Sequence, residues 1–385
     1  MTNNTLPEIF ETFGDQRKKG FLEMKELKDQ GKKVVGTFCT YTPTEIFMAA
    51  GAIPVGLCST NEETIPEAEA VLPRNLCPLI KASYGFAATQ KCPYMYFSDL
   101  VVGETTCDGK KKMYELLGEI KNVHVMNLPH RQDTEMAKKM WLEEVRILKE
   151  VVEREFNVTI TEEDIRKAIK DKNEERRLLK ELYGLSALCP PPMTGMEQIQ
   201  VLFGVQFKFD HEKKLESLRT TIDKIKEEYE SGVRKVSEKS KRILITGCPI
   251  GGMMNKVVPL IEEGGGVVVA YENCTGAKSV EDLVDEDEAR DPYEVIAEKY
   301  LNIGCSVMTP DTRRYDLLRK LCDRFKADGV IEVNLQACHT YNIETESIRR
   351  LMDSMGMPFI SLETDYSNSD VAQLKTRISA FIEML

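Results

Sequence analysis

Short apolar runs alternate with helix-like stretches over the first third of the chain. VVGTF (34–38), AIPVGL (52–57), DLVVGE (99–104) and NVHVMNLP (122–129) read as strands, and TEIFMAAG, closed by Gly51, reads as a helix between the first two. Residues 1–30 read as a helical lead-in. From 131 to 240 the pattern changes to Glu-, Lys-, Arg- and Leu-rich sequence with helical periodicity, which predicts three or four helices with a break at CPPPMTG (189–195). The strand–helix alternation then resumes with RILITG (242–247), VVVAYE (267–272), DGVIEVNLQ (328–336) and PFISLETD (358–365).

Strands that alternate with helices pack as parallel sheets. The expected fold class is therefore α/β, with two doubly wound parallel-sheet domains of Rossmann or flavodoxin type and a helical insertion. The expected domains are 1–130, a helical region 131–240 attached to the first, and 241–385.

Composition narrows the partners. A net charge of −11 argues against nucleic acid, which needs a basic surface. No apolar run approaches the ~20 residues of a spanning helix, and MTNNTLPEIFETFGDQRKKG has no apolar core of a signal peptide. The expectation is a soluble, cytoplasmic protein with no membrane partner.

The eleven cysteines change the picture most. Their odd number and wide spacing do not form a disulfide framework, leaving buried small hydrophobes or soft-metal ligands. In open parallel sheets ligands bind beyond the carboxyl ends of the strands. Cys39 and Cys248 end the first strand of each predicted domain, Cys58 and Cys274 follow the second, and Cys107 and Cys338 follow the third. Cys77 and Cys305 each precede that third strand at a predicted helix start, with spacings of 107 − 77 = 30 and 338 − 305 = 33. Loops after strands and helix N-termini present N–H groups that stabilise thiolates and cluster sulfides. Cys322, on an amphipathic helix, reads as core, and Cys92, Cys189 and Cys58 are weaker ligand candidates.

Structural zinc would show close C-x2-C pairs, which are missing here. GCPIGG (247–252) lacks the Lys-Ser/Thr of a phosphate loop. His339 reads as a supporting hydrogen-bond donor, and Glu45, Glu272, Glu332 and Glu344 read as salt-bridge or capping residues.

FCTYTPTEIFMAAGAIPVGL (38–57), LCPLIKAS (76–83), DLVVGETTCDGKKKMYELL (99–117) and DGVIEVNLQACHTYNIE (328–344) resemble the 2-hydroxyacyl-CoA dehydratase and benzoyl-CoA reductase family. The resemblance covers nearly the whole chain. It implies a [4Fe–4S] cluster on three cysteines matching Cys77, Cys107 and Cys338. ITGCPIGGMMNKV (245–257), AYENCTGAKS (270–279), GCSVMTPDTRRYDLL (304–318) and LETDYSNSDVAQLKTRISAFIEML (362–385) resemble the double-cubane branch of that family. That likeness implies a homodimer carrying an [8Fe–9S] double-cubane cluster on six cysteines. It also implies electrons from a separate ATP-hydrolysing activator with its own [4Fe–4S] cluster. The remaining three ligands would come from Cys39, Cys248, Cys274 and Cys305, of which one is surplus. Domain symmetry favours Cys39, Cys248 and Cys305, while Cys274 lies in a distinctive motif.

The expected function is an oxygen-sensitive iron–sulfur oxidoreductase that reduces a small molecule at low potential. The alternatives are an (R)-2-hydroxyacyl-CoA dehydratase subunit with one [4Fe–4S] cluster and a non-catalytic electron carrier.

Overall fold

The computed structural model describes residues 15–385, with side chains from Lys18 onward. Part of the predicted lead-in helix lies outside the described residues, and its remainder is the helix Asp15–Asp29. Eight described strands form two four-stranded sheets, all parallel: β1 Val34–Thr37, β2 Ile53–Gly56, β3 Leu100–Glu104 and β4 Val123–Met126 in one, β5 Lys241–Gly247, β6 Gly266–Tyr271, β7 Gly329–Leu335 and β8 Phe359–Thr364 in the other. The orders are β2-β1-β3-β4 and β6-β5-β7-β8, the same winding twice. The chain is the α/β protein with two doubly wound sheets that its pattern predicts.

Two compact units result. The first takes in the described chain from residue 15 to Pro129 with Lys138–Ala168 and Glu288–Tyr300; the second takes in His130–Ala137, Ile169–Asp287 and Leu301–Leu385.

In the first unit β1 and β3 are buried along their whole length, which is why they read as apolar runs. Ile46, Phe47, Met113, Tyr114 and Leu117 pack on this sheet from the helices Thr44–Ala49 and Asp108–Leu117, and Trp141, Val145 and Leu148 are fully buried in the helix Glu135–Phe156. In the second unit β6 and β7 are equally enclosed, and Ile261, Leu318, Leu321, Ile348, Met352 and Ile378 supply the helical side of the core.

The central pairs share a register. Thr37 faces Val102 in one sheet and Gly247 faces Val333 in the other. The next residue continues each ladder by one bond, Phe38 N–H to Val102 O at 3.1 Å and Cys248 N–H to Val333 O at 3.0 Å. Gly247 sits at φ 110°, and a Cβ there would lie 2.4 Å from Val333 O, so only glycine fits. The order reverses between β1 and β3 and between β5 and β7, which makes those gaps the switch points where ligands of doubly wound sheets bind. Among the described residues no helix is long and apolar enough to cross a membrane.

Candidate metal centre

In the first unit Cys39 lies two residues beyond β1, at φ 59°. A left-handed backbone at a non-glycine residue is a costly conformation that concentrates at functional sites. Its Sγ receives the Lys110 ammonium at 2.8 Å and lies 3.7 Å from Thr106 Oγ1. Cys107 is the N-cap of the helix Asp108–Leu117, and its Sγ accepts the Lys110 N–H at 3.5 Å. Cys77 caps the helix Pro78–Ala88 and is buried, whereas Cys58 is half-buried beyond β2.

Lys110 is 5% exposed. Burial works against its charge, but Cys39, Tyr114 and Cys58 together hold the ammonium well above its usual range. Glu104, at the end of β3, is fully buried. Burial pushes it up to about 7, although Thr42 Oγ1 donates to Oε1. Its Oε2 has no hydrogen-bond partner among the described residues. Glu45, also buried, accepts from Tyr300 Oη at 2.7 Å.

The second unit carries a denser charge network. Cys305 Sγ lies 3.5 Å from Tyr341 Oη, which accepts from Lys278 Nζ at 2.8 Å. Lys278 pairs with Glu272 at 3.2 Å, and Arg314 reaches Glu272 at 3.5 Å, Glu332 at 3.8 Å and Glu344. Burial opposes the Lys278 charge, but Glu272, Cys305 and Cys274 raise it above its usual range. Burial raises Tyr341, and Cys305 and Cys274 raise it further. Both thiols thus act on the same two side chains. Cys338 caps the helix His339–Ser354, directly after Ala337 at φ 58°.

Two details depart from expectation, and a third agrees with it but adds an unforeseen partner. Cys305 does not open a helix: it sits in a turn closed by Met308 N–H to Cys305 O, and the helix begins only at Thr312, where the Asp311 carboxylate accepts the Arg314 N–H. His339 is exposed. Glu272, Glu332 and Glu344 gather on Arg314, a fully buried residue that sequence reasoning passed over. Lys110, Lys278 and Tyr341 were missed as well. Lys110 hides in a KKK run that resembles a solvated face, yet its spacing to Met113, Tyr114 and Leu117 (i, i+3, i+4, i+7) marks the buried stripe.

Cys248 is 1% exposed, with its Sγ accepting the Leu335 N–H at 3.5 Å. Cys322 is core, its thiol pushed up to about 12 by burial. Cys189 is exposed, and Cys92 caps the short helix Pro93–Phe97. Among the described residues no three His, Cys, Asp or Glu side chains are gathered as a ready-made metal site. What the structure brings into contact is Cys39 and Cys107 at Lys110, and Cys305 at Tyr341; the charges of Cys58 and Cys274 also act on Lys110 and on Lys278, respectively.

Twin parallel sheets with thiols beyond their strand ends, and buried cations beside some of those thiols, define an α/β protein of the doubly wound class. Comparison with known proteins narrows the class. The family model described as 2-hydroxyglutaryl-CoA dehydratase, D-component, matches residues 39–385, and the chain belongs to that family. It is 51% identical over 381 residues to the "Putative dehydratase subunit YjiM" of Escherichia coli (strain K12), covering 99% of this chain and 98% of the relative. It is 24% identical to the (R)-phenyllactyl-CoA dehydratase beta subunit of Clostridium sporogenes, over 94% of each chain. With a benzoyl-CoA reductase subunit of Thauera aromatica it shares 20% identity, over 93% of this chain and 92% of the relative. The chain is thus an enzyme of the dehydratase and reductase class.

Proposed function

We propose that this chain is an iron–sulfur oxidoreductase that reduces a small molecule at low potential with electrons from a separate ATP-hydrolysing activator. The observation that carries the reading is the matched placement of Cys107 and Cys338, each beyond the third strand of its sheet as the N-cap of the next helix. The donor set suits an iron–sulfur group: soft thiols, amide N–H groups on sulfur and a buried ammonium beside Cys39. An iron–sulfur cluster bound there supplies electrons that side chains cannot. Iron–sulfur chemistry at low potential would make an oxygen-sensitive enzyme, which we assign to the cytoplasm as a homodimer.

The proposed ligands are Cys39, Cys77 and Cys107 with Cys274, Cys305 and Cys338. Cys248 is the surplus thiol, because at 1% exposure it is the most deeply enclosed of the seven candidates. Six cysteines is the number that the resemblance implies for an [8Fe–9S] double cubane. The rest of the chain orients and excludes water: Lys110 and Lys278 offset thiolate charge, while Arg314 holds three carboxylates in place around Tyr341.

A second reading is a dehydratase subunit with one [4Fe–4S] cluster and a CoA-thioester substrate. The likeness to the phenyllactyl-CoA dehydratase of Clostridium sporogenes favours it. Iron and acid-labile sulfide per chain, on protein purified without oxygen, separate the two. About eight irons per chain support the double cubane and about four support the dehydratase; neither metal nor sulfide after anaerobic reconstitution refutes both.

A further inference from the structure

Several buried lysines in this protein face carboxylates. Lys81 bonds Glu69 at 2.8 Å, Lys256 bonds Asp370 at 2.8 Å and Lys278 bonds Glu272 at 3.2 Å. Lys110 is different. Its Nζ lies 2.8 Å from Cys39 Sγ and 5.4 Å from the Phe38 ring, and among the described residues it makes no salt bridge to a carboxylate. A buried ammonium without an anion costs several kcal/mol. The group in direct contact with it is the Cys39 sulfur, and the buried Glu104 carboxyl acts on it only from a greater distance.

The same residue touches a second cysteine. Lys110 is the third residue of the helix capped by Cys107, so its main-chain N–H points back at the capping sulfur, 3.5 Å away. One residue thus places a fixed charge on Cys39 and an amide dipole on Cys107. The stripe Met113, Tyr114 and Leu117 buries this helix face and denies the side chain an exit to solvent.

We propose that Lys110 is a positioning residue that sets the reduction potential of the centre by holding one positive charge against its thiolates. The inference rests on the iron–sulfur reading. When one electron enters, no bond forms or breaks and the centre gains one negative charge; a fixed cation in a low-dielectric interior favours that reduced state. The effect needs the charge, whereas a merely structural lysine would need only its shape.

The test is an EPR-monitored redox titration of anaerobic, cluster-loaded protein with Lys110→Met and Lys110→Arg, beside iron content and far-ultraviolet circular dichroism. Lys110→Met, loaded to the wild-type iron level, should show a reduced-to-oxidised ratio at least tenfold lower at a fixed potential. For one electron that is 59 mV more negative. Lys110→Arg should restore most of the shift. A Lys110→Met protein that folds but fails to load, with Lys110→Arg loading normally, also supports a charge requirement. An unchanged potential in fully loaded Lys110→Met overturns the proposal, as do equal iron losses in both folded variants. If Lys110→Met does not fold, Lys110→Gln replaces it under the same criteria. Wild-type protein that binds no iron refutes the iron–sulfur reading itself, an outcome separate from any of these.

Discussion

Cys107 and Cys338 hold the same place in their two sheets. Val102 pairs with the last residue of β1 and Val333 with the last residue of β5, and each cysteine lies five residues further on (107 − 102 = 5, 338 − 333 = 5). Each then caps the following helix. Equal register and a shared N-cap position put both cysteines at the positive end of a helix, beyond the carboxyl edge of a parallel sheet, although only the Cys107 sulfur accepts a cap hydrogen bond. A serine at either position keeps a good cap while removing the soft ligand. Cys107→Ser and Cys338→Ser should therefore lose iron and acid-labile sulfide, yet unfold within about 1 kcal/mol of the metal-free wild type. Metal analysis and denaturant unfolding check this, and full loading of either variant would remove that cysteine from the ligand set.

Arg314 makes a stability prediction independent of any metal. It is fully buried against Glu272, Glu332 and Glu344, and its Nη2 also donates to Thr246 Oγ1 at 2.9 Å. Deleting one side of a buried ion network leaves the other charges without compensation, at a cost of roughly 3–5 kcal/mol. Arg314→Met should destabilise metal-free protein by about that amount in urea unfolding. Lys cannot reproduce a planar fork that reaches several partners, so Arg314→Lys should recover only part of the loss.

The contrast between these residues shows what the sequence carries and what it conceals. β1, β3, β6 and β7 are enclosed on both faces, and enclosed strands must be apolar throughout, so they stand out from the sequence. The cysteines were legible because strand ends define switch points. The cations were not. Lys110, Lys278 and Arg314 sit in charged segments that look solvated, and only tertiary packing turns them inward. The start of the helix after Cys305 was misread for a similar reason: Asp311 sets it, and an N-cap six residues downstream looks like any other loop aspartate.

Glu104 gives a pH signature. Burial raises its carboxyl from 4.5 to about 7, so the folded protein binds a proton there that the unfolded chain releases. Below the unfolded value both states are protonated and Glu104 makes no difference to the pH slope. As pH rises from about 4.5 to about 7, the folded state binds more protons than the unfolded one, and stability falls; above about 7 the loss is complete. At 1.36 kcal/mol per pKa unit, the loss is on the order of 3 kcal/mol. Glu104→Gln cannot ionise, so its unfolding free energy should fall less steeply than that of the wild type across this window, and the gap between the two proteins should widen in the variant's favour up to pH 8. Parallel pH slopes for the two proteins would show that Glu104 ionises normally in the fold.

The surplus thiol can be found by a paired comparison. Cys248 is fixed by the sheet on both sides: its N–H bonds Val333 O and its Sγ accepts from Leu335 N–H. At 1% exposure it has the surroundings of a small core residue. Cys274 is half-buried in the loop beyond β6, and it acts together with Cys305 on Lys278 and Tyr341. Truncating Cys248 to Ala should lower stability by about 1–2 kcal/mol, through lost burial and a small cavity, and leave iron content unchanged. Cys274→Ser should do the reverse, with near-wild-type unfolding and loss of iron. The reciprocal result, iron lost in Cys248→Ala and kept in Cys274→Ser, would exchange the two assignments. Its physical meaning would be that the Leu335 amide bonds a ligand sulfur, as the Lys110 amide does at Cys107.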